Sequence, residues 1–433
     1  MMNIAFVLPE FVTEKEAGGL ATYHDNIARL LADAGHRVLI FVQSDKSEEL
    51  DYYPGIKVER VYTDLSEVNP NIPGSFMRAW SIGMKEALCK KINEGEKVDL
   101  VQYSNFMGYG IDRIDIPTVV RVSSYRPLLR AADREDFNIW EKYKSIKVPD
   151  FLEDIAVMKA DAIYSPSYLI ADYVKEQTGR TVDIMESPYY PHKNSGYTSV
   201  MEEKGLKGKK YILTFGSLKA LKGAKLIGDS VYKILDCCSD LYWVFAGAEL
   251  EWINGEGEKV IPSQYIFDKA KEYSDRLLFL GKLDQGSLLD VVKSAMFCVM
   301  PSRIDNLPNT CIEAMALKKV VIGTMGASFE QLIEDGKSGF LTERENADML
   351  ATTVCRVYKM TDKELSDIGM RAKVRIDEMS PDKILEGLIN YYRSVIDRHP
   401  TSIREDDFYH CAVERYNEIV LQTGVDGAKQ YLL

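Results

Sequence analysis

Several features are missing from this sequence, and each absence excludes a class of protein. No apolar run approaches the roughly 20 residues of a membrane-spanning helix, so we expect no transmembrane segment. The opening MMNIAFVLPE lacks the basic region and cleavage site of a secretory signal peptide. Basic charge is in deficit: 54 Lys and Arg against 66 Asp and Glu give a net charge of -12. That balance excludes the overall basic field on which nonspecific nucleic-acid binding depends, and we predict no nucleic-acid partner.

Metal-binding patterns are also missing. The five histidines are dispersed, so we predict no zinc site and no metal ligands. The cysteines are odd in number and show no metal-ligand spacing, and most lie inside apolar patterns. Buried thiols in a reduced, cytoplasmic compartment are therefore expected. The seven are Cys89, Cys237, Cys238, Cys298, Cys311, Cys355 and Cys411.

What the sequence does contain is a regular alternation of short apolar runs with amphipathic helical stretches. The first helix is predicted from Leu20 to Ala34, between the strands NIAFVLP and HRVLIFVQ. This alternation predicts an α/β fold with mostly parallel sheets and helices on both faces. A chain of 433 residues is too long for one core. We predict doubly wound, Rossmann-like domains at residues 1–190 and 209–380, a linker at 191–208 and a helical segment at 381–433.

Two glycine-containing loops follow predicted strands, where ligands bind in open parallel sheets. Gly18 and Gly19 stand just ahead of the first helix, and small residues there allow a phosphate to approach backbone N–H groups. The alternative is a simple turn. In TFGSLKALKGAK, Gly216 and Ser217 follow a strand, and Lys222 is placed to pair with a phosphate. The alternative is a solvated lysine.

A third segment, TVVRVSSYRP, carries a basic residue within an apolar strand. Arg121 needs a partner if it points inward, and Ser123 follows at the strand's end. Arg126, Arg130 and Arg134 then recur at a spacing of four, on one helical face, near Trp140 and Tyr143. This pattern is typical of a surface that meets an anionic lipid carrier, a membrane or an anionic sugar. The alternative is a solvated face interleaved with acids.

The fourth segment holds two acids around a turn. FCVMP reads as a buried strand, SRIDNLPN as a loop and TCIEAMAL as a helix, which places Asp305 in the loop and Glu313 about one turn into the helix. One carboxylate can accept hydrogen bonds from both hydroxyls of a vicinal diol, such as that of a ribose. Two acids bracketing the turn favour a ligand site over an ordinary helix-dipole acid. The turn and helix start between them supply further candidate ligand contacts, which are Asn306, Leu307, Pro308, Asn309 and Thr310.

These residues belong to a longer pattern. SRIDNLPNTCIEAMALKKVVIGTMGASFEQLIEDGKSGFL resembles the signature of glycosyltransferase family 4, whose members have the GT-B fold. That signature has two acids separated by seven residues, an Asn-Leu-Pro or Gly-Leu-Pro turn, E-A-M-A, a Glu and D-G-x-x-G. Asp305, Glu313, Glu330 and Asp335 match its acids. The segments AGGLATY, KADAIYSPS and LLFLGKLDQGSLLDVVKSAMFCVMPS extend the resemblance along the chain.

The resemblance implies a retaining, metal-independent hexosyltransferase whose two Rossmann-like domains face each other across a cleft. The second domain would bind a nucleotide diphosphate sugar, with a UDP-sugar favoured over a GDP-sugar and no other cofactor. The first would bind a glycan, lipid-linked or protein acceptor. Glu313 would hold the ribose, Asp305 the donor sugar, and Gly19 and Lys222 the diphosphate. The helix after Ser380 would cross back onto the first domain.

Two departures from that family leave alternatives open. Ser217 stands where the family usually has Arg, and Ser123 where it often has His. One alternative is a catalytically weak or inactive homologue that acts as a partner or stabilising subunit of another transferase. A second is a related GT-B enzyme, such as a nucleotide-sugar epimerase or a phosphorylase. A cytoplasmic location, extending to the membrane periphery, is expected.

Overall fold

The computed structural model describes residues 1–15, 17–71, 74–133, 140–191, 199–254 and 256–398, without the side chains of 130–133 and 140–148. The chain divides into two compact units. The first is built from Met1–Leu128, Glu135–Ser187 and the helix that begins at Pro381; the second is built from Leu129–Arg134 and Pro188–Ser380. Among the described residues, no helix combines the length and apolarity that crossing a bilayer requires.

The first unit contains an eight-stranded sheet with the order β3-β4-β2-β1-β5-β6-β7-β8. All neighbours pair in parallel except β3 and β4. The central strands are apolar on both faces because helices cover both sides. The strands are β1 (Asn3–Leu8), β2 (Arg37–Gln43), β3 (Glu48–Tyr53), β4 (Ile56–Val61), β5 (Leu100–Ser104), β6 (Thr118–Arg121), β7 (Ala162–Ser165) and β8 (Asp183–Ile184). Its helices up to the linker are α1 (Gly19–Asp33), α2 (Ser75–Asn93), α4 (Trp140–Lys159) and α5 (Tyr168–Thr178), while α3 (Arg126–Asp133) begins in this unit and its residues from Leu129 belong to the second.

The second unit contains a six-stranded parallel sheet with the order β13-β10-β9-β14-β15-β16 and a small antiparallel hairpin, β11-β12. Its strands are β9 (Lys210–Phe215), β10 (Leu241–Ala246), β11 (Trp252–Ile253), β12 (Lys259–Val260), β13 (Leu277–Phe279), β14 (Cys298–Val299), β15 (Val321–Thr324) and β16 (Phe340–Thr342). Its helices are α6 (Val200–Glu203), α7 (Ala224–Cys237), α8 (Pro262–Ala270), α9 (Gln285–Ser294), α10 (Asn309–Ala316), α11 (Ala347–Tyr358) and α12 (Asp362–Asp377).

The last described helix, α13 (Pro381–Arg398), belongs to the first unit. Leu388, Tyr392 and Val395 are buried in the same apolar cluster as residues of β1 and α1. The Tyr392 hydroxyl donates a hydrogen bond of 2.6 Å to Oε1 of Gln102 on β5. The C-terminal part of the chain therefore completes a core that the N-terminal part begins.

Two elements differ from the sequence expectations. The strand β3 was not predicted, because EELDYY has no apolar alternation and lies at the edge of its sheet. The long connection after β10 includes EGEKVIPSQYIFDKAKEYSD, a segment whose sequence predicts a helical insertion; it contains α8 and also the β11-β12 hairpin. Within the segment predicted as a linker, residues 192–198 lie outside the described part, and α6 follows them.

Candidate functional site

The two acids of the fourth segment lie on the loop and helix that follow β14. Ile304, Leu307 and Pro308 are buried and anchor the loop, while the side chain of Asp305 is 16% exposed. The Ser328 hydroxyl donates to the Asp305 carbonyl oxygen at 2.9 Å. The N–H of Asn306 donates to Oδ1 of Asp305 at 3.1 Å, which orients the carboxylate.

Asp305 forms an ion pair with Lys222, a contact between two residues that were predicted to bind different parts of one ligand. Lys222 ends the 3₁₀ turn Ala220–Lys222 after β9, and its Nζ donates to Oδ2 of Asp305. The side chain of Lys222 is 33% exposed, so a ligand can reach it. Since the lysine charge is already paired, a bound anion has to compete with Asp305 for it.

Glu313 lies on α10 and is partly buried, as predicted from the helical pattern. Burial removes water from its carboxyl group and raises the pKa from 4.5 to about 7. At neutral pH this group therefore changes protonation state readily. Because burial disfavours the charged form of Glu313, a ligand whose hydroxyl groups donate hydrogen bonds to the carboxylate would stabilise that form.

Close backbone packing holds the turn Ala220–Lys222 (the Lys222 turn) against the loop after β14 that carries Asp305 (the acid loop). Gly223 has a φ of 82°, and a Cβ at this position would overlap the carbonyl oxygen of Pro301. A Cβ on Gly216, which precedes Ser217 and has a φ of 98°, would lie 3.1 Å from Cγ2 of Thr310. The carboxyl-end loop of β9 therefore lies directly on the loop after β14 and the start of α10.

The start of α10 supplies backbone donors at the same place. Pro308 is the N-cap residue, so Asn309, Thr310 and Cys311 form the first turn and their N–H groups have no carbonyl one turn earlier within the helix. Pro308 was predicted among the ligand-contacting residues, but it has no N–H to donate and acts through its conformation.

Two arginines beside this loop were not identified from the sequence. Arg303 pairs with Glu345, with 3.2 Å between Nε and Oε1. Arg344 follows β16 and donates to the carbonyl oxygens of Arg303 at 3.3 Å and Gly326 at 3.4 Å. Gly326 in turn donates its N–H to the carboxylate of Glu330. The available signal was that both arginines follow strands of the same parallel sheet.

In the first unit, backbone N–H groups at the start of α1 already donate hydrogen bonds to a carboxylate of the protein itself. The N–H groups of Gly18 and Ala21 donate to Oε1 of Glu10 at 3.2 and 3.1 Å. Gly19 is the first residue of α1, and nothing lies within 4 Å of a Cβ built on it. A phosphate bound here has to share the helix N-terminus with Glu10 or displace it. Glu10 directly follows the β1 region in the sequence, and its role was missed.

Arg121 is buried, and its partners are uncharged. Its guanidinium carbon lies 3.5 Å from the centroid of the Tyr23 ring. It donates to the hydroxyl of Ser123 and, at 3.1 Å, to that of Ser187. Burial and the charge of Arg121 lower the pKa of the neighbouring His24 to about 3, so that imidazole is neutral. The structure thus brings Arg121 and Ser123 together at the end of β6.

Arg126 begins α3 and is held within the first unit. Its Nε lies 3.3 Å from Oε1 of the buried Glu153, and its guanidinium stacks 4.5 Å from the Phe106 ring. The side chain is 26% exposed. The rest of the predicted basic and aromatic surface lies outside the described side chains; it comprises Arg130, Arg134, Trp140 and Tyr143.

Comparisons with known proteins find one family model and many solved structures that resemble this chain. Residues 209–360 match the family model described as Glycosyl transferases group 1. Sucrose-phosphate synthase from Thermosynechococcus elongatus superposes with a TM-score of 0.68 at 17% identity, covering 92% of this chain and 100% of that one. HepE of Anabaena, solved with UDP and glucose, gives 0.63 at 15% identity over 91% and 100%. Starch synthase IV of Arabidopsis thaliana, bound to ADP and acarbose, gives 0.63 at 12% over 92% and 99%. No curated protein matches the sequence.

The predicted fold is confirmed: the chain has the GT-B fold with two Rossmann-like domains. The family match concerns residues of the second unit, and the structural neighbours, all below 25% identity, share the fold.

Proposed function

We propose that this protein is a retaining, metal-independent glycosyltransferase that moves a hexosyl unit from a nucleotide diphosphate sugar to a hydroxyl acceptor. The observation that carries the proposal is the pairing of Lys222 with Asp305, on a turn that Gly223 packs against the acid loop. Glu313 follows on α10, and all these residues lie within the matched segment 209–360.

The donor is bound by groups that suit each of its parts. Glu313 accepts hydrogen bonds from the ribose diol, and a UDP-sugar is the favoured donor. The N–H groups at the start of α10 and the carboxylate of Asp305 face the sugar hydroxyls. Because a diphosphate carries more negative charge than one carboxylate, it draws Lys222 away from Asp305. Asp305 is then free to accept from the sugar.

Catalysis consists of stabilising charge as the sugar–phosphate bond breaks. Positive charge develops on the sugar ring and negative charge on the leaving diphosphate. Lys222 stabilises the diphosphate. Arg344 adds a cation at the same edge of the sheet, where Ser217 supplies none. The acceptor hydroxyl attacks the anomeric carbon of the sugar from the same side on which the diphosphate leaves. Its proton passes to a phosphate oxygen of the donor.

The acceptor is assigned to the first unit, through Arg121, Ser123 and Arg126. Arg126 is the more exposed of the two arginines, and it suits an anionic group on a glycan, a lipid-linked or a protein acceptor. A lipid-linked acceptor would place the reaction at the cytoplasmic periphery of a membrane.

In a second candidate function, the protein binds the nucleotide sugar but does not transfer the sugar. Ser217 carries no charge at a position where a cation would stabilise the leaving diphosphate. The chain would then be a partner or stabilising subunit of an active transferase, which binds nucleotide without transferring sugar.

A thermal-shift panel with EDTA present tests the proposal. It contains UDP, GDP and ADP and their glucose conjugates, with Glu313→Gln as the matched variant. A ligand at 100 times its Kd adds about 2.7 kcal/mol to the free energy of unfolding. We expect UDP-glucose to stabilise the wild type in this way and Glu313→Gln far less. Silence across the panel contradicts donor binding. Stabilisation without release of nucleoside diphosphate over long incubation with acceptors favours the partner subunit.

A further inference from the structure

Three cysteine side chains meet at the end of α7, away from the residues assigned to the donor. Cys237 is the last residue of α7, Cys238 is its C-cap residue and Cys355 lies on α11. Their three Sγ atoms all lie within 4.8 Å of one another, and the Sγ atoms of Cys238 and Cys355 are 3.9 Å apart. Nothing in the sequence spacing indicated this cluster, because Cys355 joins it from a helix more than a hundred residues later.

The backbone that carries this thiol cluster is firmly held. The guanidinium of Arg276 donates to the carbonyl oxygens of Leu235 at 2.6 Å and Cys238 at 2.7 Å. These bonds satisfy carbonyls at the C-terminus of α7, where a helix has no partners of its own. The α7 end of the cluster is therefore positioned before any ligand binds, which lowers the entropy lost on binding.

The cluster is also open on one side. Cys238 is fully buried, Cys355 is partly buried and Cys237 is exposed. An ion can enter beside Cys237, and a water molecule can complete its coordination there. A disulfide would use only two of the three thiols, so the meeting of all three is better explained by a shared ligand.

The distances suit a thiophilic metal ion. A tetrahedral Zn–S bond of about 2.3 Å places neighbouring sulfur atoms about 3.8 Å apart. The observed spacing needs only a small rotation of the side chains to reach that geometry. Three thiolates around a divalent ion carry one net negative charge, and the thiol protons are released as the ion binds.

We propose that Cys237, Cys238 and Cys355 form a binding site for one thiophilic d¹⁰ metal ion such as Zn²⁺. The ion ties α7 to α11. With about 1.5 Å of rise per residue, the length of α7 puts the site about 20 Å from Lys222, which precedes the opposite end of the helix. Its role is therefore to stabilise the second unit, and it is independent of the proposed metal-free transfer.

The test is a Zn²⁺ titration of the reduced full-length protein against a chromophoric chelator, with native mass spectrometry for stoichiometry. We expect one ion per chain in the wild type and in Cys89→Ser, a control that alters a partly buried cysteine of α2. Cys237→Ser, which changes an exposed side chain, should weaken binding by at least about 100-fold, beyond the loss typical of an outer hydrogen-bond partner. Cys355→Ser should weaken it similarly.

Three results would overturn this site. One is the absence of Zn²⁺ binding by the reduced wild type. Another is equal affinity in the wild type and Cys237→Ser, with both shown to be folded by circular dichroism. The third is a freshly purified protein lighter by two hydrogens that binds no metal and whose disulfide maps to Cys238 and Cys355.

Discussion

Glu313 shows how a residue that we propose binds a ligand opposes stability. Its carboxyl group lies on a helix that packs in the core of the second unit, and desolvation raises its pKa to about 7. A side chain chosen only for stability would not ionise there. The proposed diol contact gives a reason for retaining an acid, since hydroxyl donors replace the water that folding removes.

The pH dependence of stability tests the environment of Glu313. Below pH 4.5 the carboxyl is protonated in both the folded and unfolded states and has no effect. As pH rises to about 7, the unfolded state ionises first, so the free energy of unfolding falls by up to about 3 kcal/mol. Glu313→Gln removes this loss. Urea unfolding at pH 4.5 and 7.5 should show the variant gaining on the wild type only at the higher pH.

An exposed residue that does not titrate provides the control for that measurement. Val374→Ala changes an exposed side chain of the same unit and should shift unfolding equally at both pH values. If Glu313→Gln behaves in the same way as this control, desolvation of Glu313 is not significant.

Lys222 is expected to affect turnover much more than stability. Its ion pair with Asp305 is partly exposed, so Lys222→Gln should change the free energy of unfolding by less than about 1 kcal/mol. Loss of its charge from the leaving diphosphate should reduce kcat by about 10²- to 10³-fold. Lys225→Gln is the control, since Lys225 lies three residues further along and pairs with Asp229. Equal kcat values for the two variants, from steady-state release of nucleoside diphosphate, would remove Lys222 from the mechanism.

At the scale of elements, regular patterns were predictable and long-range contacts were not. The helices α1 and α10 follow from apolar spacing, and the parallel strands follow from short, buried apolar runs. The hairpin β11-β12 has only two residues per strand, too few for any periodicity. The contact of Lys222 with Asp305 joins residues 83 positions apart. Sequence reasoning named both residues, but it could not show that each is the other's partner.

The turn between β9 and α7 should tolerate no side chain at Gly223. A Cβ there would overlap the Pro301 carbonyl, in addition to the strain of a φ of 82°. Gly208 is a matched control, because its φ of 76° is similar and nothing lies within 4 Å of its Cβ position. Gly208→Ala should lower the free energy of unfolding by about 1–2 kcal/mol, the strain alone. Gly223→Ala should lower it by about 2 kcal/mol more and weaken UDP-glucose binding, because the Lys222 turn moves off the acid loop.

Urea unfolding and a binding titration measure both effects of that substitution. If Gly223→Ala loses stability no more than Gly208→Ala, the turn has room to relax and the close packing does not position Lys222. A loss of stability with unchanged UDP-glucose affinity would separate the packing from the proposed donor site.

At the scale of the whole molecule, the first unit is built from residues that lie on both sides of the second unit in the sequence. The helix α13 follows the entire second unit in sequence, yet Tyr392 donates to Gln102, which lies 290 residues earlier. Gln102 also accepts from the Tyr164 hydroxyl at 2.8 Å, so its Oε1 joins β5, β7 and α13. Folding of the first unit therefore requires that residues on both sides of the second unit be present.

Substitutions at Tyr392 should show how far the stability of the first unit depends on α13. Tyr392→Phe removes one buried donor, but Gln102 keeps its bond from Tyr164, so we expect a loss of about 1 kcal/mol. Tyr392→Ala leaves a cavity in the first unit's core and should lower its free energy of unfolding by about 3–5 kcal/mol. Hydrogen exchange should then accelerate in β1 and β5 but not in β9 and β10. Val374→Ala, at an exposed position of α12, is the control and should leave both sheets unchanged. Equal acceleration in both sheets after Tyr392→Ala would mean that the two units unfold together.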